Sequence, residues 1–348
     1  MRARVVLVSV AVVLVGCDSG DDAPEPAPTP RAVATGTTTP TATPTATPER
    51  AERVRLREYR VFAGARPHDV APAPDGTVWF TAQGAGEMGR LDPRTGKSRR
   101  VKLGAGSAPH GVIVGPDDAA WITDGGLNAI VRVDDRTHRV RSFPLPATRP
   151  ATNLNTATFD RRGRLWFTGQ AGVYGRLDPK SGRMRVWDSP RGPGPYGIST
   201  TPSGGVWYSS LAGSHIARVN LNDGTVKTVD PPTAGAGARR VWPDSRGRLW
   251  VSEWNAGQVG VYDSKRNRWQ EWKLPGPDPM TYAVYVDETD RVWLTDFGGQ
   301  ALVRFDPQTE RFSTYRLRAN ANVRQLLGRP GEVWGAESGT DRLVVARF

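Results

Sequence analysis

Apolar residues in this chain come in short runs separated by turn-forming residues. In the stretch Pro67–Gly96 and just beyond, the runs are Val70–Ala73, Thr77–Thr81, Met88–Leu91 and Ser98–Leu103. Asp75-Gly76 between the first two is a hairpin signal. Asp92-Pro93-Arg94-Thr95-Gly96 between the last two is another, with Pro presetting φ and Gly free to adopt positive φ. Asp178-Pro179-Lys180-Ser181-Gly182 and Asp306-Pro307-Gln308-Thr309-Glu310 repeat that second turn. No segment keeps a helical period. The pattern predicts an all-β chain.

The second run carries a Trp, which recurs as Trp79, Trp121, Trp166, Trp207, Trp250, Trp293 and Trp334. A return every ~40–45 residues, with four strands per return, is the signature of propeller blades. Seven copies predict a seven-bladed β-propeller of four-stranded blades, with the tryptophans packed between neighbouring sheets. The last copy is short, because only Arg342–Phe348 follows Trp334 as a further run. Val54–Phe62, ahead of the first copy, reads as a lone fourth strand. It is expected to complete the last blade and close the ring, leaving no free sheet edge there.

Residues outside the repeats set the context. Arg2 and Arg4 precede the apolar run Val5–Val15, and Leu14-Val15-Gly16-Cys17 resembles a bacterial lipobox. The run is too short to span a bilayer. Residues 1–17 therefore read as a lipoprotein signal peptide, with lipidation at Cys17, the single cysteine of the chain. Residues 18–52, rich in Thr, Pro and Ala, cannot bury a core and read as an extended stalk. Residues 53–348 form the propeller. The expected location is exported and lipid-anchored, facing outside the cytoplasm, with the membrane as a partner through Cys17 and a monomeric state. The net charge of +12 does not indicate nucleic acid, because no basic run interleaves with aromatics as single-strand binders require. It suits a solvated face near an anionic membrane.

Inner strands of a propeller line its channel, and the loops entering the first strand and leaving the second share one rim. Eleven residues before each Trp lie His68, His110, Asn155, Tyr196, Arg239, Tyr282 and Val323; three after lie Ala82, Asp124, Gly169, Ser210, Glu253, Asp296 and Glu337. A purely structural repeat needs no polar side chain at the first position, so a site at the channel mouth is expected. His68 and His110 occur as Pro-His in adjacent blades and can accept a proton or bind a metal as neutral imidazoles. Asp124 lies at the top of the same blade as His110 and is the acid expected to orient it or share a metal. Arg239 and Arg240 suit a carboxylate or phosphate. Asn155, Tyr196 and Tyr282 suit a small-molecule or peptide ligand, and Glu253, Asp296 and Glu337 form an acidic arc. His138 and His215 are expected to be solvent-exposed.

The repeat Pro-His-x-(Ile/Val), Asp-Gly-x-(Val/Leu)-Trp-Phe-Thr, (Ile/Val/Met)-Gly-Arg-(Leu/Val)-Asp resembles the virginiamycin B lyase (streptogramin B lyase) family. Pro67–Asp92, Pro109–Asp134, Asn153–Asp178 and Arg240–Asp263 carry it best. The resemblance implies a seven-bladed propeller that opens cyclic depsipeptide antibiotics by elimination. It implies a magnesium ion at the ester and a His acting as general base on the α-proton. By the paired Pro-His repeats it implies His68 as the substrate-facing histidine and His110 as the catalytic one. A family metal-binding Glu two residues before the second His falls at Ala108, and Asp124 is the nearest candidate for a second. A family Tyr falls at Asn155. A non-catalytic propeller that holds a ligand or envelope partner is the alternative.

Overall fold

The turn residues act as their chemistry dictates. Gly76 lies at φ 89° and Gly96 at φ 71°. The Gly96 N–H donates to the Asp92 carbonyl at 2.8 Å, and the Asp92 carboxylate accepts the Arg94 N–H at 2.9 Å. The turn at Asp178 closes in the same way, through the Gly182 N–H. Between such turns the computed structural model, which describes residues 53–348, forms seven four-stranded antiparallel sheets. The signal peptide, Cys17 and the stalk expected over residues 1–52 lie outside the described residues.

Blade 1 is built from Pro67–Pro72, Val78–Ala82, Glu87–Asp92 and Lys97–Lys102, and blade 2 from Pro109–Val114, Ala120–Asp124, Ala129–Val133 and Val140–Pro144. The inner strands of blades 3 to 7 are Leu154–Phe159, Pro195–Thr200, Ala238–Pro243, Thr281–Val286 and Val323–Arg329. Each inner strand contacts the next, and the seventh contacts the first, so the ring closes. In blade 7 the outermost strand is Arg55–Arg60, which pairs antiparallel with Arg342–Arg347. Tyr59 on that strand stacks on Trp334 with ring centroids 5.6 Å apart. The chain's two ends thus share one sheet, as the sequence predicts.

The repeated tryptophans are all buried. Trp79 packs with Val112 and Ile122 of blade 2, Trp250 with Val284 and Leu294 of blade 6, and Trp334 with Val70 and Phe80 of blade 1. Burying such a ring between two sheets ties each blade to its neighbour, and its truncation typically costs about 3–5 kcal/mol. Several indole N–H groups are satisfied by an acid in the preceding turn: Trp166 by Asp160 at 2.9 Å, Trp293 by Asp287 at 2.7 Å. The ring after the Trp explains the third-strand glycine. Phe80 lies across Gly89, where a Cβ would come within 1.9 Å of it, and Phe167 does the same to Gly175.

Every inner strand breaks register once near its rim end, as between Pro67 and Val70, Pro109 and Gly111, and Ala238 and Arg240. A bulge of this kind re-aims side chains. In blades 1, 3 and 5 two consecutive side chains consequently reach the mouth, rather than one: His68 and Asp69, Asn155 and Thr156, Arg239 and Arg240. The two outlying histidines differ from expectation. His215 is fully buried, its Nδ1 against the Gly213 carbonyl at 3.0 Å and its ring edge-on to Tyr208, because the third strand it begins is an interior strand. His138 is half-buried, packed edge-on to Trp79 at 5.9 Å.

Candidate active site

The bulges bring six side chains from four blades into one polar chain at the channel mouth. His68 Nδ1 lies 2.7 Å from Asp69 Oδ1. Asp69 accepts Arg240 Nη2 on both oxygens, at 3.1 and 3.4 Å. Arg240 Nη1 donates to Thr156 Oγ1 at 3.1 Å, and Thr156 Oγ1 donates to Asn155 Oδ1 at 2.7 Å. Asn155 then meets His110 twice. Its carbonyl faces His110 Nδ1 at 3.2 Å, and its Nδ2 faces His110 Nε2 at 3.3 Å. The two imidazoles touch at a tilt of 46°, with centroids 3.9 Å apart.

This geometry fixes the tautomers. His68 donates from Nδ1 to a carboxylate, so its Nε2 carries the lone pair, and Nε2 has no partner among the described residues. His110 donates from Nδ1 to the Asn155 carbonyl and accepts the Asn155 amide on Nε2, so both of its nitrogens are engaged. Burial holds both imidazoles well below the ordinary histidine range. For His68 the charges of Arg240, Arg324 and Arg239 add to burial; for His110 the neighbouring His68 adds to it, with Asp69 opposing. Burial pushes the Asp69 carboxyl up, against the pull of Arg240.

Beside the histidines sits a cationic aromatic cluster. Arg239, 9% exposed, lies 3.4 Å from the ring centre of Tyr282, 4.5 Å from Tyr196 and 4.6 Å from Trp254. Its Nη2 donates to the Tyr196 hydroxyl at 2.9 Å, and the Tyr196 and Tyr282 hydroxyls share a bond of 2.5 Å. No carboxylate pairs with Arg239 among the described residues, and its Nε is buried without a partner. Arg324 lies 5.7 Å from the Tyr282 ring centre. Burial pushes the Tyr196 phenol up, whereas at Tyr282 the nearby arginines outweigh burial and bring the phenol down.

The expected residues therefore divide. His68, His110, Asn155, Tyr196, Arg239 and Tyr282 converge. Asp124 does not join them. Its Oδ1 accepts the N–H groups of Ala108, Gly126 and Leu127, and its Oδ2 accepts Ser107 Oγ, so it ties down the rim loops. Nor do the arc acids form one group. Asp296 accepts the Met280 N–H, Glu253 the Gln258 amide, and Glu337 the Thr340 hydroxyl. Asp69 and Thr156 were not singled out by the sequence, and both sit one position after a residue that was. The group that could hold a metal among the described residues is His68, Asp69 and His110, with donor atoms within 4.8 Å of one another.

Below the mouth the channel narrows to a cavity of about 60 Å³ lined by Asp69, Thr156, Arg240 and Gln325 among apolar side chains. A rim pocket of about 340 Å³ opens beside it between blades 7 and 1, against Arg66, Gln83 and Arg324. A larger cleft, about 1130 Å³, lies among turn residues of blade 5 such as Arg246, Arg248 and Arg268. Those turns join strands one to two and three to four, so the cleft faces away from the mouth and holds none of this chemistry.

A sequence model of the virginiamycin B lyase family matches residues 46–279. The chain belongs to that family. Solved members have the same fold. A streptogramin B lyase superposes with a TM-score of 0.77 at 22% identity, covering 84% of this chain and 97% of that one. Virginiamycin B lyase from Staphylococcus aureus superposes with a TM-score of 0.78 at 19% identity, covering 85% and 100%. A catalytically inactive variant of the latter, crystallised with quinupristin, gives 0.79. No curated protein sequence matches the chain. In this virginiamycin B lyase-family propeller, Ala108, two residues before His110, carries no side-chain ligand atom.

Proposed function

We propose that the chain opens a cyclic depsipeptide or related cyclic ester by elimination at the channel mouth, as an exported lipoprotein held to the membrane through Cys17. The observation that carries this reading is the buried, neutral histidine pair, one of whose nitrogens is free, set beside a guanidinium with no counter-ion. A neutral imidazole is a base for a carbon acid; a fixed cation stabilises the charge that develops as the ester leaves. The rim pocket offers space for a ligand next to Arg324.

The test is mass spectrometry of quinupristin incubated with the purified protein. A linear product of unchanged mass supports elimination. Gain of one water would mean hydrolysis instead. Tight binding with no change in the antibiotic would move the protein to the ligand-holding alternative, for which the unpaired Arg239 is the anchor.

A further inference from the structure

We infer that this mouth moves a proton without a metal ion: Asp69 holds His68 in the tautomer whose Nε2 takes the proton, and Arg239 meets the leaving carboxylate. The inference rests on the ring-opening reading above and assigns its parts.

The donors present do not fit magnesium. That ion demands near-octahedral oxygen ligands. Ala108 supplies none, and both Asp124 oxygens are committed to Ser107, Ala108, Gly126 and Leu127. Of the three clustered donors, His68 Nδ1 and Asp69 Oδ1 are bonded to each other, and both nitrogens of His110 are taken by Asn155. Arg240 covers both Asp69 oxygens. A cation entering here would have to displace a guanidinium or sit against it.

The same constraints make His68 the base. A carboxylate on Nδ1–H orients an imidazole and stabilises the imidazolium that forms. Asp69 acts through His68 and is a positioning residue. His110, engaged at both nitrogens, walls the site with its ring against His68.

Arg239 replaces the missing cation. A buried guanidinium without an anion is costly, and here three aromatic rings and one phenol hold it in place. In the step, Nε2 of His68 takes the proton from the carbon next to a carbonyl. The C–H electron pair becomes the new carbon–carbon double bond. The neighbouring C–O bond of the ester breaks, and the carboxylate leaves with that pair toward Arg239. The proton on His68 then passes to water. No oxidant or co-reactant is needed, and mass is conserved.

The experiment follows quinupristin opening by the full-length protein with and without EDTA and added magnesium, alongside nitrogen NMR of the histidine rings. Turnover should change less than about twofold with EDTA. His68→Gln, Asp69→Asn and Arg239→Met should each lower kcat by about 100-fold or more, and His110→Gln by less than His68→Gln. In the unmutated protein His68 should show the Nδ1–H tautomer at pH 7, lose that preference in Asp69→Asn, and be unmoved by millimolar magnesium. Turnover abolished by EDTA and restored by magnesium would overturn the metal-free assignment while keeping ring opening. A larger loss in His110→Gln, an Nε2–H tautomer at His68, or magnesium-induced shifts at Asp69 would overturn it as well. Absence of turnover under every condition would sink the ring-opening reading and with it the assigned step; the NMR result would then decide only whether the Asp69–His68 pair and the lack of a metal site stand.

Discussion

The hydroxyl of Thr81 donates to the carbonyl of His110 at 2.9 Å while accepting the N–H of Asp69 at 2.9 Å. One side chain of blade 1 therefore fixes the bulge of its own inner strand and the inner strand of blade 2. The arrangement recurs. Thr123 donates to the Asn155 carbonyl, Thr168 to Tyr196, Ser209 to Arg239 and Ser252 to Tyr282. Each hydroxyl lies two residues after the repeated Trp, and each receiving carbonyl belongs to a mouth residue. Blade packing and site geometry are thus set by the same bonds. In blade 7 the equivalent residue is Ala336, and at that seam the Gln325 amide oxygen accepts the Val70 N–H at 2.9 Å instead.

Replacing Thr81 by Val keeps the shape and removes the hydroxyl. Two buried backbone groups, the Asp69 N–H and the His110 C=O, then lose a partner. The expected cost is about 2–3 kcal/mol, read as a shift in urea midpoint at unchanged slope. Because both groups belong to site residues, turnover should fall with stability, whereas Val at an exposed Thr such as Thr95 should alter neither. An unchanged midpoint in Thr81→Val would show that this hydroxyl does not tie blade 1 to blade 2.

Deleting residues 53–61 takes away the outermost strand of blade 7 and the Tyr59–Trp334 stack. It also uncovers the edge of Arg342–Arg347, which invites pairing between molecules. The melting temperature is expected to drop by about 10 °C or more, with a rise in aggregates by light scattering. A monomeric variant that melts with the parent would show that the closing strand is dispensable.

The ring and its closure were legible because turn chemistry and the Trp period survive in every copy. The Asp-Pro-x-x-Gly turns required positive φ at Gly96 and Gly182, and those values are found. The site was half legible. Counting from the Trp located His68, His110, Asn155, Tyr196, Arg239 and Tyr282. It did not locate Asp69 or Thr156, because alternation assigns one side chain to the channel and the bulge turns in two. The Asp following Pro-His was the visible signal. Asp124 drew attention by its place in the repeat, yet a carboxylate at a strand end beside free N–H groups serves the loop. A polar residue at a strand start, such as His215, does not by itself show that its strand is an interior one.

Glu253 gives the fold a pH dependence. Its Oε1 is buried without a partner, its Oε2 accepts the Gln258 amide at 2.6 Å, and burial pushes the carboxyl up to about 8. The folded chain therefore keeps a proton that the unfolded chain releases near the ordinary value of 4.5. The stability from this group is full below that value and is lost as pH rises through about 8. Relative to Glu253→Gln, the parent should lose about 3 kcal/mol between pH 5.5 and 8.5, measured by urea unfolding at both. Parallel pH profiles would mean that Glu253 is ionised in the fold.

Tyr282 reports on the charge beside the histidines. Burial alone would raise its phenol, as it does at Tyr174, Tyr196, Tyr208, Tyr262 and Tyr285. Arg239, Arg240 and Arg324 outweigh burial and favour the phenolate, and the bond from Tyr196 acts in the same direction. In an ultraviolet titration one tyrosine should ionise below the ordinary value of 10, ahead of those five. Tyr282→Phe should delete that early step. Arg239→Met should move it upward, because the guanidinium 3.4 Å from the ring is gone. If the early step survives Tyr282→Phe, the excess positive charge does not act where the leaving carboxylate is to be met, and Arg239 loses its assigned part.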